Sequence, residues 1–104
     1  MLTNIIQIQR DSIVNVENLP GLGPKSALWL NKIDIFTKEN LEKLGPVMAM
    51  IRLERAGFNP GLNMLYALVG ALEGIHWQEV ARSRKTELVL ALDAARELDK
   101  DIYK

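Results

Sequence analysis

Residues 19–30 read LPGLGPKSALWL. Two prolines and two glycines fall between positions 20 and 24, directly ahead of Lys25, Ser26 and Ala27 and the apolar Leu28, Trp29 and Leu30. Pro20 has no N–H to donate and ends any helix that precedes it. Pro24 suits the first position of a helix, where the missing donor costs nothing. The stretch therefore reads as a tight turn between a short helical piece at residues 16–19 and a helix that starts at Pro24 and stops near Ile33.

Leu19-Pro20-Gly21-Leu22-Gly23 has the form hydrophobic-x-Gly-hydrophobic-Gly, and Pro24-Lys25-Ser26-Ala27 places small residues early in the next helix. This is the pattern of a helix-hairpin-helix. Glycine admits positive φ and lets a ligand approach the backbone with no Cβ in the way. The free amides at the start of the next helix, aided by its dipole, favour an anion. Leu22 is expected to turn inward and pin the hairpin. Lys25 adds a mobile positive charge and Ser26 a hydroxyl. Two readings are open: Gly21, Gly23, Lys25 and Ser26 hold a phosphate of a nucleic-acid backbone, with Lys32 adding long-range attraction, or the glycines only turn the chain between packed helices. A dinucleotide fingerprint is rejected, because Ser26 stands where G-x-G-x-x-G needs its third glycine and no strand precedes the turn.

Outward from the hairpin, helix punctuation continues. Thr37 is a good N-cap for a further helix, with Phe36 before it and Leu41 inside it at the spacing of a hydrophobic staple. Gly45 closes that helix and Pro46 opens the next, which runs to Ala56 with Gly57 beyond its end. Residues 62–75 are apolar on nearly all sides, the mark of a helix in the middle of a fold. Gly70 and Gly74 are expected to let a neighbouring helix come close. Ser83 is a candidate cap for a last long helix whose inward stripe is Leu88, Ala91, Leu92, Ala95, Leu98 and Ile102. Residues 2–15 suit a helix or an extended arm. No segment alternates with a period of two, so the chain reads as a compact all-α domain. LGPKSALWL at 22–30 recurs loosely as LGPVMAMIRL at 44–53, offset by 22 residues. Either this is a tandem of hairpins or Leu-Gly-Pro is a common stop-and-restart signal; in the second copy Val47 and Met48 replace Lys25 and Ser26.

Composition narrows the function classes. The chain has 104 residues, enough for one core, and 13 basic residues balance 13 acidic ones. That balance argues against a dedicated nucleic-acid-coating protein but leaves room for a local basic edge. There are no cysteines, which excludes disulfides, thiolate metal sites and cysteine catalysis. Neither the N-terminal residues nor the apolar run at 62–75 has the form of a signal peptide or a membrane span. The expectation is a cytoplasmic protein with no membrane partner, no cofactor and no metal. His76, the only histidine, is expected to close the gap after the central helix together with Trp77, and Trp29 and Tyr66 are expected to pack, Tyr66 with its hydroxyl bonded. No catalytic set assembles around one histidine, so no enzyme is expected. The basic cluster RSRK at 82–85 reads as a solvated helix start or an extension of a DNA footprint.

The run from LPGLGPKSALWLNKIDIF through TKENLEKLGPVMAMIRLERAG, followed by LNMLYALVGALEGIHWQEV, resembles the C-terminal domain of the TfoX/Sxy competence regulators. The resemblance spans roughly residues 16–80, and rests on the Leu-Gly-Pro-Lys-Ser-Ala turn, the second Leu-Gly-Pro, the Leu-Asn-x-Leu-Tyr-Ala-Leu run and the His76-Trp77 pair. It implies an all-helical domain that contains a helix-hairpin-helix, so the chain divides into an arm or helix at 1–15 and a helical domain at 16–104. It also implies a non-enzymatic role tied to DNA uptake or its transcriptional control. Longer members carry a different domain ahead of this one. The implied partner is double-stranded DNA, bound weakly and with strong salt dependence; the competing expectation is a protein-interaction module, as a homodimer or as the partner of a transcription regulator, without DNA binding.

Overall fold

The structure, a computed structural model, describes residues 13–102. The helix or arm expected over the first fifteen residues lies outside that range except for 13–15, which are not helical. There the chain runs extended: Lys38 N donates to Val14 O (2.7 Å), Val16 N donates to Phe36 O (2.9 Å), and Asn15 bridges Thr37 in antiparallel fashion. A single 3-10 turn, Val16–Asn18, follows and ends before Pro20, as expected.

Five α-helices follow, and no strand occurs among the described residues. They are α1 (Pro24–Lys32), α2 (Lys38–Leu44), α3 (Pro46–Arg55), α4 (Leu62–Glu73) and α5 (Trp77–Ile102). The protein is all-α. The boundaries follow the local chemistry. Pro24 and Pro46 occupy the first turns of α1 and α3. Thr37 caps α2: its hydroxyl accepts from Asn40 N (3.1 Å) while Asn40 Oδ1 accepts from Thr37 N (3.2 Å), a capping box. The staple is uneven, since Leu41 is fully buried and Phe36 stays half exposed.

The C-terminus of α1 was less legible. Asp34 takes φ +65°, and the reversal is closed by Ile35 N donating to Leu30 O (2.9 Å) and Asp34 N donating to Asn31 O (3.1 Å). This is the hydrogen-bond pattern of a left-handed helix cap, with an aspartate where glycine is the usual occupant.

Helix α4 is the centre of the fold, as its sequence predicts. Leu65, Tyr66, Leu68, Val69, Gly70 and Ala71 are buried, and α4 packs most extensively on α5, which also lies along α3. Each fully buried aliphatic side chain contributes about 1.5–3 kcal/mol through removal from water. The core is wholly apolar, with no buried polar or charged residue among those described except the tyrosine head group. The Tyr66 hydroxyl, expected to be bonded, has no partner among the described residues.

Two expectations about glycine are corrected. The surroundings of Gly70 and Gly74 belong to the helix's own return. A Cβ on Gly70 would collide with the carbonyl oxygen of Ile75, whose N–H in turn donates to Gly70 O (3.0 Å), while Gly74 takes φ +72° at the helix end and faces open space. The close approach is thus a chain folding back on itself.

The last helix begins earlier than Ser83. It starts at Trp77, and His76 Nδ1 accepts from Gln78 N (3.2 Å) at its first turn. Ser83 is no N-cap: its Oγ donates to Glu79 O (2.8 Å) inside the helix, just before a break at Arg84 (φ −128°, ψ 15°). A hydroxyl bonded back to the preceding turn often accompanies a bend. The inward stripe is also shorter than predicted. Val80, Leu88 and Leu92 are buried and Ala95 is partly so, but Ala91 and Leu98 face solvent, and the Ile102 side chain lies outside the described residues.

Candidate nucleic-acid interface

Leu22 N donates to Leu19 O (3.2 Å), closing a four-residue turn. Pro20 occupies its second position and Gly21, with φ +84°, its third, the arrangement of a type II turn. Only glycine adopts that third position without strain. Leu22 is buried and anchors the turn to the core, as expected. Gly23 (φ −84°, ψ 177°) is extended and serves as the N-cap of α1, its carbonyl accepting from Ala27 N (3.1 Å).

No side chain caps this helix. Pro24 has no N–H, so the first free donors of α1 are the amides of Lys25 and Ser26. Those two amides, and the amides of Gly21 and Gly23, have no acceptor among the described residues. Gly21 and Gly23 are exposed, with nothing within 4 Å of the place where a Cβ would stand. Unpaired donors of this kind are normally satisfied by water or by a ligand.

Around these amides is a cleft of about 420 Å³. Gly21, Lys25, Ser26 and Trp29 form one wall, and Asn59, Pro60, Gly61, Asn63 and Trp77 contribute to the other. The structure thus brings three of the predicted site residues to one place. Gly23 stands beside it, exposed but outside the lining. Lys32 is in the last turn of α1, seven residues or about 10 Å along the helix from Lys25, and does not line the cleft. The ammonium of Lys25 sits 5.0 Å from the centroid of the Trp29 ring, which leans on Phe58 at a centroid distance of 5.0 Å. This cation–π contact holds the positive charge next to the open amides.

The opposite wall was missed at the sequence level. Gly61 (φ −82°, ψ 171°) repeats the conformation of Gly23 as the N-cap of α4, again with no side chain capping it. Two helix N-termini therefore open on the same cleft. The signal was the Pro-Gly dipeptide ahead of an apolar helix in FNPGLN, but only the tertiary fold places it opposite the hairpin. Among the described residues, Lys25 is the one ionisable side chain lining the cleft, and no carboxylate does.

The second Leu-Gly-Pro behaves differently. Gly45 takes φ +88°, and its N–H already donates to Leu41 O (2.8 Å). It ends α2 and starts α3 at a single residue, with no intervening turn and no spare amide of its own. The RSRK cluster is drawn into ion pairs along its own helix and its neighbour. Arg82 pairs with Glu79, and Arg84 bridges Glu73 (2.6 Å) and Glu87 (2.9 Å). Hydrogen bonds to Glu87 and Glu73 push the Arg84 guanidinium above its ordinary pKa, and the bond from Arg84 holds the Glu87 carboxyl below its own. None of the cluster lines the cleft. Among the described residues no helix is long and apolar enough to cross a membrane.

Comparison with known proteins agrees with this architecture. The chain is similar to an uncharacterised protein from Listeria monocytogenes seen in a crystal structure. The identity is 29% and the TM-score 0.70, with 80% of this chain and 94% of that one covered. No curated protein matches. The family model described as the TfoX C-terminal domain matches residues 13–92, a span that holds the extended entry, the glycine hairpin, both cleft walls and every buried residue of the core. On that match, the chain belongs to the TfoX C-terminal domain family.

Proposed function

We propose that this domain is a non-enzymatic helix-hairpin-helix module that binds the sugar-phosphate backbone of duplex DNA weakly and without sequence preference, in the regulation of competence or DNA uptake. One observation carries the reading: four amide donors at Gly21, Gly23, Lys25 and Ser26 are left without a protein acceptor at an exposed turn, beside an oriented lysine. A phosphate at the N-terminus of α1 would accept from these amides and face the positive end of the helix dipole. Contacts of this type fix position on the duplex and carry no base information. No carboxylate lines the cleft among the described residues, so none of those repels a phosphate there. Asn59, Asn63 and the open N-terminus of α4 extend the same donor surface towards a second phosphate. Tandem hairpins are not part of the proposal, because Gly45 has no free amide to offer.

With one or two phosphates neutralised, affinity falls as roughly the first or second power of salt concentration, up to about tenfold between 50 and 200 mM. The test is titration of the ¹⁵N-labelled chain with a short duplex of mixed sequence at low salt. Amide shifts are expected at Gly21, Gly23, Lys25 and Ser26, extending to Asn63. Lys25→Glu should abolish them while leaving the melting temperature within about 4 °C, as for an exposed surface change. Flat amide shifts across residues 21–27 would rule the reading out. The competing reading, a protein-interaction module without DNA binding, is favoured by the exposed Leu90 and Leu98 on α5.

A further inference from the structure

The chain has two tryptophans, and both line the cleft beside the hairpin: Trp29 from α1 and Trp77 from the first turn of α5. Each is half-buried, so part of each indole remains open to solvent. Trp29 leans on Phe58, and the Lys25 ammonium lies over its ring at 5.0 Å from the centroid. Lys25 is exposed and reaches the ring on a flexible four-carbon stem, so the ammonium can leave without disturbing a packed group. Trp77 stands beside the exposed ring of His76, with centroids 6.0 Å apart.

Unpaired polar groups converge on the same recess. Asn59 and Asn63 are exposed in its lining, and neither side-chain amide has a hydrogen-bond partner among the described residues. Each offers a donor and an acceptor side by side, which suits the edge of a heterocyclic base. At about 420 Å³ the cleft falls near the lower end of the range for small-molecule sites, about 300–1,000 Å³. That is the scale of one nucleotide, not of a double helix.

A phosphate held by the amides of the hairpin leaves both indoles unused. An intact duplex leaves them unused as well, because its bases are stacked inside and its convex backbone brings only phosphates to a recess. An unpaired base can instead turn into the recess, stack on an aromatic ring and be hydrogen-bonded at its edge.

We propose that the cleft takes an unpaired nucleotide of single-stranded DNA. Its phosphate accepts from the amides of Gly21, Gly23, Lys25 and Ser26. Its base lies against the indoles of Trp29 and Trp77, with its edge towards Asn59 and Asn63. As the strand enters, the Lys25 ammonium exchanges the Trp29 ring for the phosphate and uncovers the ring. The inference rests on the reading of those amides as a phosphate site, and adds that a single strand is held in preference to a duplex. Every base has a face to stack, so no sequence preference is introduced.

Because both tryptophans line the cleft, their emission and their two indole N–H cross-peaks report on it directly. Four probes are titrated into the ¹⁵N-labelled full chain at low salt. They are an oligothymidylate of about 12 nucleotides, within the site sizes of single-strand modules, an abasic strand of the same length, a mixed-sequence duplex and thymidine monophosphate. The oligothymidylate should quench the emission saturably, move the indole cross-peaks and bind about tenfold more tightly than the abasic strand or the duplex. The abasic strand should move the amides of residues 21–26 and leave the indoles in place. Trp29→Ala should remove the preference for the strand, with thermal melting as the control because the ring packs on Phe58; the abasic probe makes the same comparison in the unaltered protein. Equal affinity for strand, abasic strand and duplex, with amide shifts but unmoved indoles, would overturn the base pocket and leave the phosphate reading standing. Thymidine monophosphate binding as tightly as the strand would overturn it too, by making a free nucleotide the occupant. Amides of residues 21–26 flat with every probe would remove the phosphate reading and this inference together.

Discussion

At the scale of single residues, local chemistry dictates conformation wherever one backbone atom is at stake. Pro20 and Gly21 together determine the type II turn, and Thr37 with Asn40 determine the start of α2. Asp34 is the exception. It holds a left-handed conformation at φ +65° in a position where glycine is strain-free. Left-handed φ costs an ordinary residue about 1 kcal/mol or more, and glycine gives back part of that through its freer unfolded chain. Asp34→Gly should therefore raise stability by about 0.5 kcal/mol, and Asp34→Val, β-branched and unable to accept this φ, should lower it by about 2 kcal/mol. Chemical denaturation of the two variants reads both signs. If both variants destabilise, the strain assigned to Asp34 is absent. Nothing in the KIDIF stretch announces the positive φ, because an aspartate is as compatible with a right-handed helix end. Only the need for the chain to return from Leu30 to Ile35 imposes it.

At the scale of elements, α5 is where pattern and packing part company. Periodicity alone assigned Ala91 and Leu98 to the core, yet after the break at Arg84 it is Leu88, Leu92 and in part Ala95 that face inward, with Arg96 and Asp99 paired to Glu54 and Arg55 of α3. Arg84 pins the break by bridging Glu73 at the end of α4 and Glu87 on α5. Its hydrogen bond to Glu87 lowers that carboxyl's pKa in the folded state. A depressed carboxyl pKa contributes stability that is complete above the unfolded value, near pH 4.3, and is lost as the pH falls through the lower folded value. Amide hydrogen exchange around residues 83–88 should accordingly speed up relative to the core of α4 as the pH is taken below about 4. In Arg84→Gln that extra acid sensitivity should vanish. Equal acid sensitivity in the variant would show that the Arg84 bridge does not stabilise the break.

At the scale of the whole molecule, Leu92 is the last buried residue among those described. Beyond it the described contacts to the rest of the fold include the partial burial of Ala95 and the two ion pairs to α3, each with both side chains partly exposed. Partly exposed pairs are worth up to about 1 kcal/mol. A chain ending after Leu92 should thus fold, lose about 1–3 kcal/mol in denaturation, and keep the amide spectrum of the hairpin; loss of cooperative unfolding would show that residues 93–104 belong to the core after all. The fold class, the order of the helices, most of their ends and the first wall of the cleft were legible without coordinates, because they depend on groups a few residues apart: a missing proline N–H, a capping hydroxyl, a glycine free of Cβ, an apolar repeat. Tertiary structure alone decided that the α3–α4 loop stands opposite the hairpin, that Gly70 makes room for its own chain and that Leu98 looks outward. Each of these depends on the direction in which one packed element meets another, and that direction is set by summed burial and ion pairing across distant segments, which no local pattern encodes.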